Sequence, residues 1–138
     1  MSAARVLAVA LATGTLAALS GCGARAPDLF AVQRSGQGAN AKLSMVVNDS
    51  GSVTCNGKQH NLDADHLLRA RAVARALADQ AQLHLELPPG ANTVLSYKVE
   101  VEQGEVAFSD SSANLPPSFT QVEVLTKDIS EDVCGIKR

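Results

Sequence analysis

The chain has no tryptophan, one tyrosine and three phenylalanines, so Phe30, Tyr97, Phe108 and Phe119 are its only aromatic rings. A core made from so few large side chains must be modest. It leaves little apolar surface to line an internal cavity, which argues against a small-ligand carrier as the first reading. Charge of one sign is also lacking. A net charge of −2 offers no electrostatic attraction to nucleic acid or to an anionic lipid surface. No HExxH, GxSxG, phosphate-binding loop or Cys-His nucleophile pair occurs. Internal repeats and low-complexity segments are absent as well. A catalytic set is therefore not expected, and no cofactor or metal is implied.

One uncharged run does stand out. After Arg5, the segment Val6 to Leu19 carries no charge. It is shorter than the ~20 residues a helix needs to span a bilayer, but it fits the apolar region of a secretory signal peptide. The run closes on Leu19-Ser20-Gly21-Cys22. This resembles the lipobox of bacterial lipoproteins, in which a Leu and two small residues admit the peptidase and the Cys thiol takes the lipid. By that resemblance residues 1–21 are the leader, and Cys22 becomes a diacylglyceryl-modified N-terminus. The protein is then exported and anchored to the outer face of the cell membrane, or faces the periplasm where the envelope has two membranes. Two acyl chains anchor stably, since each buried CH₂ contributes ~0.8 kcal/mol. The tether, residues 22–28, is short. Its stretch "GARAPD" reaches at most ~20 Å when extended, which keeps the following domain close to the membrane.

With Cys22 assigned to lipid, Cys55 and Cys134 remain as a pair in an exported protein, and oxidising compartments favour their joining. Two free thiols or a metal pair is the alternative, although no His or Cys lies at ligand spacing near either.

Residues 29–138 read as a single domain. Leu29 to Arg34 has a strand's composition, and "SGQGAN" after it is a loop. Leu43, Met45 and Val47 alternate before an Asn48-Asp49-Ser50-Gly51 turn, and "SVTC" returns as the partner strand of a hairpin. "NGKQHN" then breaks the sheet pattern. From 62 to 84, Leu67, Ala70, Val73, Ala74, Leu77 and Ala81 share one helical face, with Asp63 placed to cap the first turn. Leu68 falls on the charged face opposite. A second hairpin alternates through Leu95, Tyr97, Val99 and Val101, turns at Gln103-Gly104, and returns through Val106 and Phe108. "SSANLPPS" is a loop, and the stretch 119–133 is read as a helix behind Pro116-Pro117. The order predicts an α+β domain: an antiparallel sheet of four to five strands packed on one main helix, with a C-terminal helix.

His60, His66 and His84, with Asp63 and Asp65, are the nearest thing to a chemical cluster. Helix capping and the helix dipole account for both carboxylates. His66 and His84 lie five helical turns apart and cannot share a ligand. Ser35, with no His near it in sequence, belongs to a loop.

A second resemblance covers most of the chain beyond the leader. The opening "VQRSGQGANAKLSMVVNDSG", the single helix, the Pro-rich break, the hairpin "YKVEVEQGEVAFSDS" and the closing Pro-Pro segment are similar in layout to emfourin. Emfourin is a small bacterial protein inhibitor of thermolysin-like metalloproteases with a cystatin-like sheet-and-helix fold. The lipobox and the Cys55/Cys134 pair are additions to that layout, and no inhibitory residue is carried over. The resemblance implies a compact binding module with a cystatin-like layout.

Recognition of an envelope or secreted protein is therefore the leading reading, protease inhibition its narrower form, and a structural or assembly role in the envelope the alternative. Loops held on a rigid sheet usually carry such contacts. The candidates are Ser35, Gly36, Gln37, Gly38, Ala39 and Asn40 in one loop, and Ser111, Ser112, Asn114, Leu115, Pro116 and Pro117 in the other. The alternative expects an apolar patch around Leu68. Mass spectrometry of the mature protein is expected to show an acylated N-terminal Cys22. Cys22→Ala should release the protein or leave the leader uncleaved, and a variant processed and retained as before would contradict lipidation.

Overall fold

The computed structural model describes residues 27–138, and the expected leader and lipobox-like segment, Leu19 to Cys22 included, lie outside the described residues. Six strands form one antiparallel sheet: β1 (Asp28–Gly36), β2 (Leu43–Asn48), β3 (Ser52–Cys55), β4 (Lys58–Asn61), β5 (Leu95–Val101) and β6 (Gly104–Ser109). Their spatial order is β4-β3-β2-β1-β5-β6, so the first strand in the chain is central. Helices α1 (Ala64–Gln82) and α2 (Pro117–Asp128) pack beside each other on one face, and a π-helical turn, Ile129–Val133, extends the second. This is the α+β class predicted above, with one strand more.

The extra strand is β4. "KQHN" has no apolar alternation, which is why it reads as a break. Asn56 and Gly57, both at positive φ (48° and 84°), turn the chain straight back so that Lys58 pairs with Cys55 and Asn61 with Ser52. An edge strand needs no inward hydrophobe, and polar residues with a lysine suit an edge that must not recruit another sheet. The opposite edge is covered. Leu87 N–H donates to the Ala107 carbonyl (2.9 Å), and Ala107 N–H donates to Leu85 (3.1 Å).

Alternation fills the core from the sheet side. Phe30, Val32, Leu43, Met45, Val47, Val53, Leu95, Tyr97, Val99, Val106 and Phe108 all turn to the helices and are buried. Helix α1 answers with Ala70, Val73, Leu77 and Ala81, and α2 with Phe119, Val122 and Leu125. The small residues of α1 let it approach closely, while three of the four rings carry α2. Tyr97 stacks on Phe108 with centroids 5.1 Å apart, and Phe108 stacks on Phe119 at 4.7 Å. Asp63 caps α1, its Oδ1 accepting from His66 N–H at 2.8 Å. No helix among the described residues is long and apolar enough to cross a membrane.

Cys55, at the end of β3, is joined to Cys134, just past the π-helical turn. The bridge links the sheet to the C-terminal segment across 79 residues of sequence. Restricting a loop of that length stabilises the fold by ~4–5 kcal/mol in the chain-entropy model. Non-reducing peptide mapping is expected to recover the Cys55–Cys134 pair, and Cys55→Ala with Cys134→Ala to lower unfolding stability by up to about 4 kcal/mol. Two alkylatable thiols in the native protein would contradict the bridge.

Candidate functional site

Strand pairing gathers the candidate loops at one end of the sheet. β1 runs out at Gly36 opposite Leu95, where β5 begins, and Ser96 pairs with Ser109, where β6 ends. The loop after β1 (37–42) and the loop after β6 (110–116) therefore flank the start of β5. The Asn56-Gly57 turn belongs to the same end, since Asn56 N–H donates to Ser44 O at 2.7 Å. So does the C-terminus, where Asn40 Nδ2 donates to Lys137 O at 2.7 Å. Asp28, the turn at 49–51 and the turn at 102–103 lie at the other end. A strand rises about 3.3 Å per residue, so β1 carries the chain roughly 26 Å from one end to the other.

The first loop is built rather than loose. Gly36 (φ 148°) runs so close to β5 that a Cβ there would lie 2.0 Å from Val94 O. Gln37 N–H donates to that same Val94 carbonyl at 3.0 Å. From beneath, the Arg34 side chain donates through Nε to Ala41 O (3.0 Å) and through Nη2 to Asn40 O (2.9 Å). From the side, the C-terminal segment contributes the Asn40–Lys137 bond, and Arg138 Nη2 reaches Gln37 O at 3.5 Å. Side chains 37–40 remain exposed. Ser35 points to the sheet face away from the helices, exposed beside the loop.

The second loop divides by role. Ser112 is buried, donating to Pro88 O (2.9 Å) and accepting from Ser109 N–H (2.9 Å). Ser111 sits against Gly90, where a Cβ would lie 2.0 Å from Ser111 O. Asp110 accepts from the backbone N–H of Val94 (3.1 Å) and Leu95 (3.0 Å), fastening this loop to the start of β5. Leu115 and Pro116 are partly buried, and Pro117 opens α2. Only Ala113 and Asn114 (φ 55°) form an exposed tip.

Sequence reasoning did not reach the group beneath these loops. Arg34, 2% exposed, occupies the inward position after Phe30 and Val32. Read by the same two-residue period, a charged residue in the inward register was the available signal. Beside it stands Tyr97, whose hydroxyl is pushed up to about 12 by burial first and by Glu123 next, so it remains a neutral donor. Burial lowers the Arg34 pKa, with Tyr97 counteracting. Burial, followed by the charge of Asp110, raises Glu123. A cleft of about 360 Å³ opens here, bounded by Arg34, Leu95, Tyr97, Glu123, Lys127 and Arg138.

Other sequence candidates are scattered. His60 is on β4, His66 pairs through Nδ1 with Asp63 Oδ2 (2.9 Å) on α1, and His84 follows α1 at φ 50°. Among the described residues no group of three or more His, Cys, Asp or Glu is placed to hold a metal. Leu68, 62% exposed, lies on α1 one turn before Ala72, which lines an open groove between α1 and α2 with Leu115, Pro117 and Val124. Comparisons with protein-family models, curated proteins and solved structures find no match for this chain.

The C-terminal contacts with loop 37–41 generate a direct expectation. Deleting Lys137 and Arg138 should speed amide hydrogen exchange at 37–41 by about tenfold, the loss of roughly one hydrogen bond's net worth. Exchange in the middle of β1 and β5 should stay as it was. Unchanged exchange at 37–41 would show that Arg34 and Val94 suffice.

Proposed function

We propose that this protein is an exported, membrane-anchored lipoprotein that acts as a protein-binding module. It recognises an envelope or secreted protein through segments 35–40 and 111–117, of which Ser35 and Gly36 close β1 and Pro117 opens α2. One observation carries the reading. The chain enters the sheet at Asp28, six residues after the lipobox cysteine, and the two loops cluster at the far end of the same strand. A short tether at one end of a stiff sheet would hold the loops about 26 Å further from the membrane, facing outward.

The state of the loops supports this reading. Ordering a flexible loop on binding costs affinity, and a loop already fixed by its own scaffold avoids that cost. The first loop is tied by Arg34, by Val94 and, through the Asn40 side chain, by the C-terminal segment, while the Gln37 and Ala39 side chains stay exposed. A rigid, exposed loop is also what insertion into a protease cleft requires, so inhibition of a metalloprotease, as the emfourin-like layout suggests, is the narrower form of the proposal. The assembly reading has its own observation in exposed Leu68 and Val124 beside the groove between α1 and α2.

Crosslinking pull-down from intact envelopes separates these readings. Shortening loop 37–40 should weaken partner capture by at least about tenfold, a loss of ~1.4 kcal/mol. Replacing His60, His66 and His84 together by Gln should leave capture intact in a variant that remains folded. Loss in the His variant with normal capture by the loop variant would overturn the binding-module reading. Loss only on Leu68→Ser would favour the assembly role.

A further inference from the structure

We propose that the cleft beneath loop 37–40 is an anchor pocket that receives a carboxylate side chain, Asp or Glu, of the protein this module binds. The proposal rests on the binding-module reading and names the chemistry of the partner.

The cleft is unfilled by the chain's own side chains. At about 360 Å³ it could hold on the order of a dozen waters. Its floor carries a cation with no carboxylate in contact, since Glu131 acts on it only from beyond ion-pair distance. Arg34 spends Nε and one Nη2 hydrogen on the carbonyls of Ala41 and Asn40, and Tyr97 is its third polar neighbour. A guanidinium has five N–H donors. Among the described residues no carboxylate lies within ion-pair distance of Arg34. A buried charge without a contacting counter-charge is costly, and an incoming anion on the unspent donors lowers that cost. The rim repeats the pattern. Lys127 on α2 and Arg138 at the C-terminus are exposed and equally without an ion-pair partner.

The chain's own acids oppose this only in part. Glu123 from α2 and Glu131 from the π-helical turn face the cleft, while both oxygens of Asp110 are committed to backbone N–H groups. Three cations and a phenol donor thus face Glu123 and Glu131, with the charge of Asp110 near enough to act on Glu123 and Tyr97. The planar guanidinium of Arg138 suits bidentate pairing with a carboxylate, and its contact with Gln37 O puts any occupant against the recognition loop.

Nuclear magnetic resonance of the full chain, titrated with the capped tripeptide Ala-Glu-Ala, tests this. The expected response is a shift of the Arg34 Nε–H and Tyr97 ring signals. Ala-Gln-Ala should bind at least about tenfold more weakly, and Arg138→Gln and Lys127→Gln should each weaken the Glu peptide about three- to tenfold. No shift with Ala-Glu-Ala, or a stronger response to Ala-Lys-Ala, would overturn the proposal, the latter by making Glu123 and Glu131 the recognising groups. A response to phosphatidylglycerol vesicles alone would assign the cleft to lipid and overturn it too. Partner capture that needs loop 37–40 but is unchanged in Lys127→Gln would sink the pocket and leave the binding-module reading standing.

Discussion

Everything in this domain is referred to β1, because both its edges are hydrogen-bonded. β2 pairs along one side from Asp28 to Arg34, and β5 along the other from Phe30 to Gly36. A strand bonded on both sides cannot shift register without turning its inward residues outward. Phe30 and Val32 under the helices therefore fix where Arg34 sits, and Arg34 fixes the carbonyls of the loop that follows. The path from apolar core to exposed loop is a single strand long.

That arrangement puts the charged group where it is most constraining. A buried guanidinium is destabilising unless its donors are used, and two of them are used on the backbone of the loop. Loop order and core integrity are thus coupled through one side chain. The Cys55–Cys134 bridge couples them again from outside, by holding the C-terminal segment near Asn40. The second loop is secured by other side chains, Asp110 and the serines at 109, 111 and 112, and the two loops meet at Val94, whose carbonyl accepts from Gln37 N–H and whose N–H donates to Asp110.

Legibility in the sequence followed how local each cause was. Leu43-Met45-Val47 and Tyr97-Val99-Val101 are plain two-residue alternations, and the α1 stripe is a plain helical one. Segments 35–40 and 111–117 were visible from Gly, Ser, Asn and Pro, although Ser35 and Gly36 still pair with β5 and Pro117 already belongs to α2. What composition could not convey is that they are neighbours, since that depends on Gly36 meeting Leu95 across 59 positions. Nor could it show that Ser112 is buried scaffold while Asn114 is exposed. β4 escaped because an edge strand has no apolar period to read. Arg34 is less legible because an arginine at the end of a strand reads as a solvent-facing residue, and only the two-residue period from Phe30 and Val32 puts it on the inward face.

The central claim is that the two ends of the sheet have different neighbours: the membrane at Asp28 and a protein at Gln37. Placing a photocrosslinking residue at Gln37 in one variant and at Gln103 in another, then irradiating intact cell envelopes, tests it most directly. The account predicts a discrete protein adduct from position 37 and none from position 103. A protein adduct from position 103 with none from position 37 would contradict it.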